Sequence, residues 1–508
     1  MSNKKNKVSL NPIMTLMILI VVTIVLSGVL ALFGVGASYD TIKNSTYESN
    51  WVAVESLFNL RWIKYIFQST VSNFAAFTPL SMLIIILIGI GIMDKSGFLK
   101  TTFSLITRKC QKKTLTFVLA LICIILSIGG DLAYVVMIPL SALLFYYGRR
   151  NPLLGIVISF AALTCGTGLS FFKTSIDSSL DALTLESSRI LDSSYTFNYL
   201  GYFIIMVVAI LAIAALITYI SERFSVNELP KYEFKDDKKD FKLAKRDIRG
   251  LIFAGTFGII YLLIFIYNII PGLPLSGNLL DYSQKLYIDK LFNPDSFFSQ
   301  GFVFIVTILF VILGLFYGLG SRSIKNSNDF CDYLTHSLDG IGRTIILILL
   351  SSILVNVFKK SNIGTVITAL IGNLITNCKF TGIPLLVLFF IGTAVATFFL
   401  PNTVNKWTIL SASCVPTLMN VGFSAEFIQV IFRFAEGMTY GLTPIMAYFV
   451  IYLAYMEKYN TADNPIGVFK ILNYQKKYAL ATGVILLIIL IIWYLVGLPI
   501  GIGVMPTI

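Results

Sequence analysis

Two stretches of this 508-residue chain, roughly 270 residues apart, share one pattern: an apolar helical hairpin followed by an apolar helix that breaks at a polar run. In the first, Leu115–Leu126 leads to Gly129-Gly130-Asp131 and Ala133–Tyr147, and a helix from Leu153 is interrupted by Thr164-Cys165-Gly166-Thr167-Gly168. In the second, Leu385–Leu400 leads to Pro401-Asn402-Thr403 and Trp407–Met419, and a helix from Phe427 is interrupted around Glu436–Pro444. Pro139 matches Pro416, Phe160-Ala161 matches Phe434-Ala435 and Gly168 matches Gly441, at offsets that stay between 272 and 277. At bilayer depth a backbone gives up helical hydrogen bonds only where protein or water replaces them. Paired interrupted segments in two halves therefore point to the midplane substrate site of a transporter.

Composition places the chain in the bilayer, because 56% of its residues are hydrophobic and only 13% are charged, far from the balance of a soluble domain. The longest polar stretch, Ser221–Arg249, is too short to bury a core of its own. Spans are expected at Ile13–Phe33, Phe74–Met93, Leu153–Leu183 (broken), Phe197–Ile220, Leu251–Ile270, Phe302–Leu319, Ile345–Phe358, Phe427–Ala454 (broken) and Tyr478–Val496. If each hairpin enters and leaves on one side, 27 of the 39 Lys and Arg residues fall on the cytoplasmic side and nine outside, with Lys173, Arg433 and Lys406 in between. That bias sets the orientation. It also explains the net charge of +13 without a nucleic-acid partner.

The expected fold is an all-α integral membrane protein, nine transmembrane helices plus two re-entrant hairpins in an inverted repeat, with the N-terminus cytoplasmic and the C-terminus outside the cell membrane. Its segments are 1–114 (N-terminal spans and a loop), 115–220 (first repeat), 221–384 (cytoplasmic loop and scaffold spans) and 385–508 (second repeat). Tyr39–Gln68, with Trp51 and Trp62, reads as an interfacial segment, and Ile363–Ile375 as an amphipathic helix on the membrane surface.

Charge at the bilayer centre is costly, so it normally faces a partner or a watery cavity. The set here is Asp131, Lys173, Asp177, Asp181, Lys406, Arg433 and Glu436. Arg433 and Glu436, three residues apart, can pair on one helix face. Lys406 reads as snorkelling to the interface, Asp181 as lying near the outer surface, and Asp131 as a turn residue that could also couple an ion. Asp177 follows an unwound stretch with Ser170, Thr174 and Ser175, whose oxygens suit a small cation or a proton relay. Trp407 can equally pack on lipid or stack on an aromatic substrate.

Several of these segments resemble the p-aminobenzoyl-glutamate transporter (AbgT) family: Gly130-Asp131 through Tyr134 and Pro139, Gly148-Arg149-Arg150 with Pro152, Lys406-Trp407, Thr443-Pro444, and Gly497 with Pro499 and Gly501. The resemblance implies a bowl-shaped homodimer and ion-driven movement of p-aminobenzoyl-glutamate or of sulfonamide antimetabolites. It places functional residues at Asp177, Trp407, Arg433 and Pro444, with Glu436 where the family has a second aspartate. Val404 replaces a serine, Ala425 a proline and Ser170 an asparagine, and Lys173 stands where an apolar residue is usual. Substrate contacts are expected from Asp177, Ser170, Lys173, Asn402, Thr403, Trp407, Arg433, Glu436 and Pro444, and ion coupling from Asp131, Asp177 and Glu436. The added cation beside Arg433 predicts an anionic substrate.

Other classes fit less well. A channel would use Thr164–Gly168 as a carbonyl-lined filter, but that run occurs once. An enzyme would need machinery this chain lacks, with one histidine, His336, and no nucleophile elbow or His-Glu-x-x-His. There is no nucleotide-phosphate loop, so a proton or sodium gradient, with no bound cofactor, is the expected energy source. The alternative substrate class is another organic anion, carried in sodium-coupled dicarboxylate fashion.

Overall fold

A backbone in lipid must satisfy its own hydrogen bonds, and this chain does so almost entirely with helices. The computed structural model describes residues 10–43, 46–170, 174–198, 201–234, 242–293, 295–462 and 464–508. Asn11-Pro12 and Asn151-Pro152 start helices in the same way, the asparagine oxygen accepting from the backbone two residues on while the proline occupies the first turn, where a missing N–H costs nothing.

Among the described residues nine helices are long and apolar enough to cross a membrane. The number equals the expected one, but the sets differ. Seven correspond to expected spans: Pro12–Leu32, Leu60–Lys95, Phe203–Glu228, Lys245–Ile269, Phe297–Ser321, Gly342–Lys360 and Val468–Val496. The other two, Lys112–Gly129 and Gly382–Phe399, are the first arms of the helix pairs. The two broken spans drop out because each is divided, into Pro152–Cys165 and Ser175–Ser188, and into Ala425–Thr439 and Phe449–Lys458. Their halves, of 14, 14, 15 and 10 residues, are about 15–23 Å long at 1.5 Å per residue.

The all-α expectation needs one correction. Gly36–Lys43 and Thr46–Ala53 form an antiparallel hairpin, followed by the helix Leu60–Ala75, within the segment read as interfacial. Helix Ile363–Asn377 is not free on a surface: it buries Ile363, Val366, Ala369 and Ile375, packs along the second helix pair, and donates from Asn373 to the Ser38 carbonyl at 2.9 Å. The span before it is not short either; Gly342–Lys360 runs 19 residues and ends on Lys359 and Lys360, cations well placed at a helix C-terminus.

The first pair turns at Ser127–Gly129 and Gly130, whose φ of 58° reverses the chain into Asp131–Tyr147. The second turns at Leu400–Asn402 into Thr403–Met419, with the Asn402 side chain capping the return helix. The bases of the two pairs lie at opposite ends of the helix Phe203–Ile220. At one end Arg150 meets Glu222 at 2.6 Å and Asn151 donates to the Pro230 carbonyl at 2.7 Å. At the other, Ile205 donates to Ile500, and the same C-terminal segment bonds Gly422 and Ser424. Eighteen residues separate those ends by about 27 Å.

Sidedness then follows from where water reaches each base. Single cysteines at the exposed positions Gln111 and Asn420 are expected to react with an impermeant maleimide from opposite faces of the membrane, Gln111 from the cytoplasm. Labelling of both from one face contradicts the inverted arrangement.

Candidate functional site

Each helix pair docks on a broken helix. Ser127 Oγ donates to the Gly166 carbonyl at 2.9 Å, a carbonyl freed where Pro152–Cys165 ends. Thr439 Oγ1, in the last turn of Ala425–Thr439, donates to the Ala394 carbonyl at 2.5 Å. The two breaks then press on each other. A methyl group on Gly168 would overlap the Arg433 carbonyl, and one on Gly437 would lie 2.6 Å from the Cys165 carbonyl oxygen. Only glycine allows the two backbones to approach so closely.

Four charges meet at this crossing. Arg433 Nη1 donates to Glu436 Oε2 at 2.9 Å and Nη2 donates to the Thr167 carbonyl at 2.9 Å. Nη2 also lies 3.5 Å from Asp177 Oδ1. Lys406 Nζ donates to Glu436 Oε1 at 2.8 Å and to Thr397 Oγ1 at 2.8 Å. Lys406 and Glu436 have no exposed surface, and Asp177 and Arg433 have 3% and 5%. Two carboxylates face two cations, so the buried group is neutral as a whole. Such a network holds because each member is paired; removing one partner leaves an uncompensated charge, at a cost of about 3–5 kcal/mol.

Asp177 follows the break, as expected. It is the third residue of Ser175–Ser188, where it forms a capping box: Thr174 Oγ1 accepts from the Asp177 N–H, and Asp177 Oδ2 accepts from the Thr174 N–H and hydroxyl at 3.0 and 2.7 Å. The second break starts one turn later than expected, with Glu436 still helical and the chain leaving the helix at Tyr440–Leu442. Lys406 does not snorkel, since Thr397 and Glu436 hold it inside. Asp181 is 1% exposed and accepts from Gln429 Nε2 at 2.7 Å, away from any surface.

Trp407 meets neither lipid nor open space. Its ring packs on Phe432 with centroids 4.3 Å apart, and its N–H donates to Thr184, which donates to Gln429. That chain ties the second helix pair to both broken helices. Ser170 is buried beside the first break, and Lys173 lies outside the described residues.

A cavity of about 1040 Å³ reaches both hairpin turns: Asp131 lines it from the first, Pro401 and Asn402 from the second, with Tyr440 and Tyr448 between them. The cavity borders the buried charges at Tyr440, four residues after Glu436, and at Leu400, whose carbonyl lies 3.5 Å from Lys406 Nζ. Asn402 therefore faces open space, whereas Asp177, Trp407, Arg433 and Glu436 do not line it. Thr403 and Pro444 are adjacent to lining residues without lining the cavity. The run Thr164–Gly168 packs on the second broken helix instead of lining the cavity.

Sequence reasoning placed Lys406 at the interface, and it missed Thr184, Gln429 and the two tyrosines. A signal existed for Lys406: two buried acids need two buried cations, and Lys406 directly precedes Trp407 in an apolar helix.

The model of the AbgT putative transporter family matches residues 4–508. A curated relative, the p-aminobenzoyl-glutamate transport protein of Escherichia coli (strain K12), is 25% identical over 505 residues, covering 99% of this chain and 95% of that one. Two solved structures are similar. The Alcanivorax borkumensis YdaH transporter is 23% identical, with 97% of this chain and 100% of that one covered and a TM-score of 0.48. Neisseria gonorrhoeae MtrF, described as illuminating a class of antimetabolite efflux pumps, is 25% identical, with 98% of each chain covered and a TM-score of 0.47.

The contact between the breaks yields a direct test. Gly168→Ala forces backbone apart and is expected to cost about 1–3 kcal/mol, read as a lowered melting temperature in detergent. Gly129→Ala, where an added methyl meets nothing within 4 Å, is expected to leave it nearly unchanged. Equal effects contradict the close packing of the breaks.

Proposed function

The chain belongs to the AbgT transporter family, and from that premise we propose that it is a secondary transporter, in which a proton or sodium gradient drives an anionic, p-aminobenzoyl-glutamate-like substrate across the cell membrane. The observation that carries this reading is the buried neutral group of Asp177, Arg433, Lys406 and Glu436 at the crossing of the breaks. The name of the Escherichia coli relative supports the substrate class.

The coupling follows from charge. Glu436 has a cation on each oxygen, whereas Asp177 holds Arg433 only at 3.5 Å. A substrate carboxylate that reaches Arg433 displaces the weaker partner, Asp177. The group then carries one excess negative charge in a desolvated site, a costly state, until a sodium ion or proton joins Asp177 beside the oxygens of Thr174 and Ser170. One cation enters for each carboxylate that binds Arg433. Asp131 and Asn402, on the cavity wall, are the first coupling and substrate contacts on the way in; Thr403, Trp407 and Pro444 shape the path behind them. Because cation and anion move together, export of an antimetabolite of similar chemistry by this cycle needs an outwardly directed gradient. Helices Lys245–Ile269 and Phe297–Ser321, most of whose residues are not buried, offer surface to lipid and to the second copy of a homodimer.

Two substitutions test this reading. Asp177→Asn keeps the shape and loses the charge, and is expected to abolish gradient-driven uptake in proteoliposomes while membrane insertion stays normal; wild-type accumulation by this variant means Asp177 serves only its helix cap. Arg433→Met is expected to weaken binding of a carboxylate substrate at least about tenfold more than binding of its neutral amide, in line with the loss of a desolvated charge partner. Equal loss for both ligands removes the case for an anionic substrate.

A further inference from the structure

We propose that the ammonium of Lys406 permanently fills a monovalent-cation site built into the second hairpin, formed by Thr397 Oγ1, Glu436 Oε1 and the Leu400 carbonyl. An ammonium group has three N–H donors and no acceptor. Lys406 Nζ has three oxygens around it, at 2.8, 2.8 and 3.5 Å, and the Phe432 ring centroid 5.4 Å away. The oxygens are a hydroxyl, a carboxylate and a backbone carbonyl, the donor types that bind small hard cations. Leu400 is the C-terminal cap of Gly382–Phe399, so the negative end of that helix faces the site. Lys406 is 0% exposed, and Leu400, whose carbonyl completes the site, borders the cavity.

The consequence is specific. The second hairpin carries its own tethered cation, which cannot leave with a transported ion, so the ion dependence of transport arises elsewhere. Removing the ammonium leaves oxygens that a mobile cation of similar size can occupy. This inference stands on the geometry of the hairpin and of Glu436 on the broken helix beside it, and is independent of which substrate or gradient the transporter uses.

The test is chemical rescue of Lys406→Ala. Thermal unfolding of the full-length detergent-solubilised protein is measured while choline chloride is replaced, at constant ionic strength, by sodium, ammonium or methylammonium chloride. Choline is too large for the site and serves as the inert reference. The variant is expected to melt several degrees below wild type in choline and to regain a saturable part of that loss in methylammonium or sodium, a gain greater than any shown by wild type. Lys406→Ala combined with Glu436→Gln is expected to lose the extra gain, because the carboxylate that holds the cation is gone. A variant that responds to these cations no more than wild type overturns the proposal. So does a gain that survives Glu436→Gln, or a Lys406→Ala protein that fails to fold in every cation. Recovery of folded variant only when it is purified in methylammonium or sodium supports it.

Discussion

Arg433 is the contact on which the rest of this structure depends. Its guanidinium reaches across from the second broken helix to the Thr167 carbonyl and to Asp177, both contributed by the first, while Glu436 on its own helix takes the other nitrogen. A planar cation with five fixed donors suits a place where two broken helices lose their internal hydrogen bonds together. The glycines at 168 and 437 permit the approach, and the carboxylates permit the charge. Without either condition the two breaks could not share one buried point.

Neutrality governs the remainder of the site. Two acids and two cations with almost no access to water tolerate an added charge poorly, and a substrate anion is such a charge. On the proposed reading, the physics that closes the site in the empty protein also makes binding of an anion and uptake of a cation a single event. The cavity borders this group at Tyr440 and Leu400, with Asp131 and Asn402 on its wall.

Much of this was legible in the sequence for physical reasons. Helix breaks inside apolar runs are rare enough in a bilayer to be informative, and Gly168, Gly441, Pro139 and Pro416 displayed their spacing openly. Arg433 with Glu436 followed from helical spacing of three. Lys406 was misread because a lysine's long stem makes escape to the interface the usual outcome, and its partners Thr397 and Glu436 are nine and 30 residues away in sequence. The helix cap at Asp177 was not foreseen because capping geometry, here Thr174 with Asp177, looks like loop composition until the helix start is seen. The β-hairpin at Gly36–Ala53 escaped notice because neither strand shows clean alternation of polar and apolar residues.

The central claim is that charge balance at the crossing of the breaks couples an organic anion to a cation. The most direct measurement is uptake of radiolabelled p-aminobenzoyl-glutamate by proteoliposomes of the purified wild-type protein under imposed sodium or proton gradients. The account predicts accumulation above the external concentration with one of these gradients, and collapse of that accumulation when an ionophore dissipates it. Uptake that levels off at equal concentrations on both sides, whichever gradient is imposed, contradicts it.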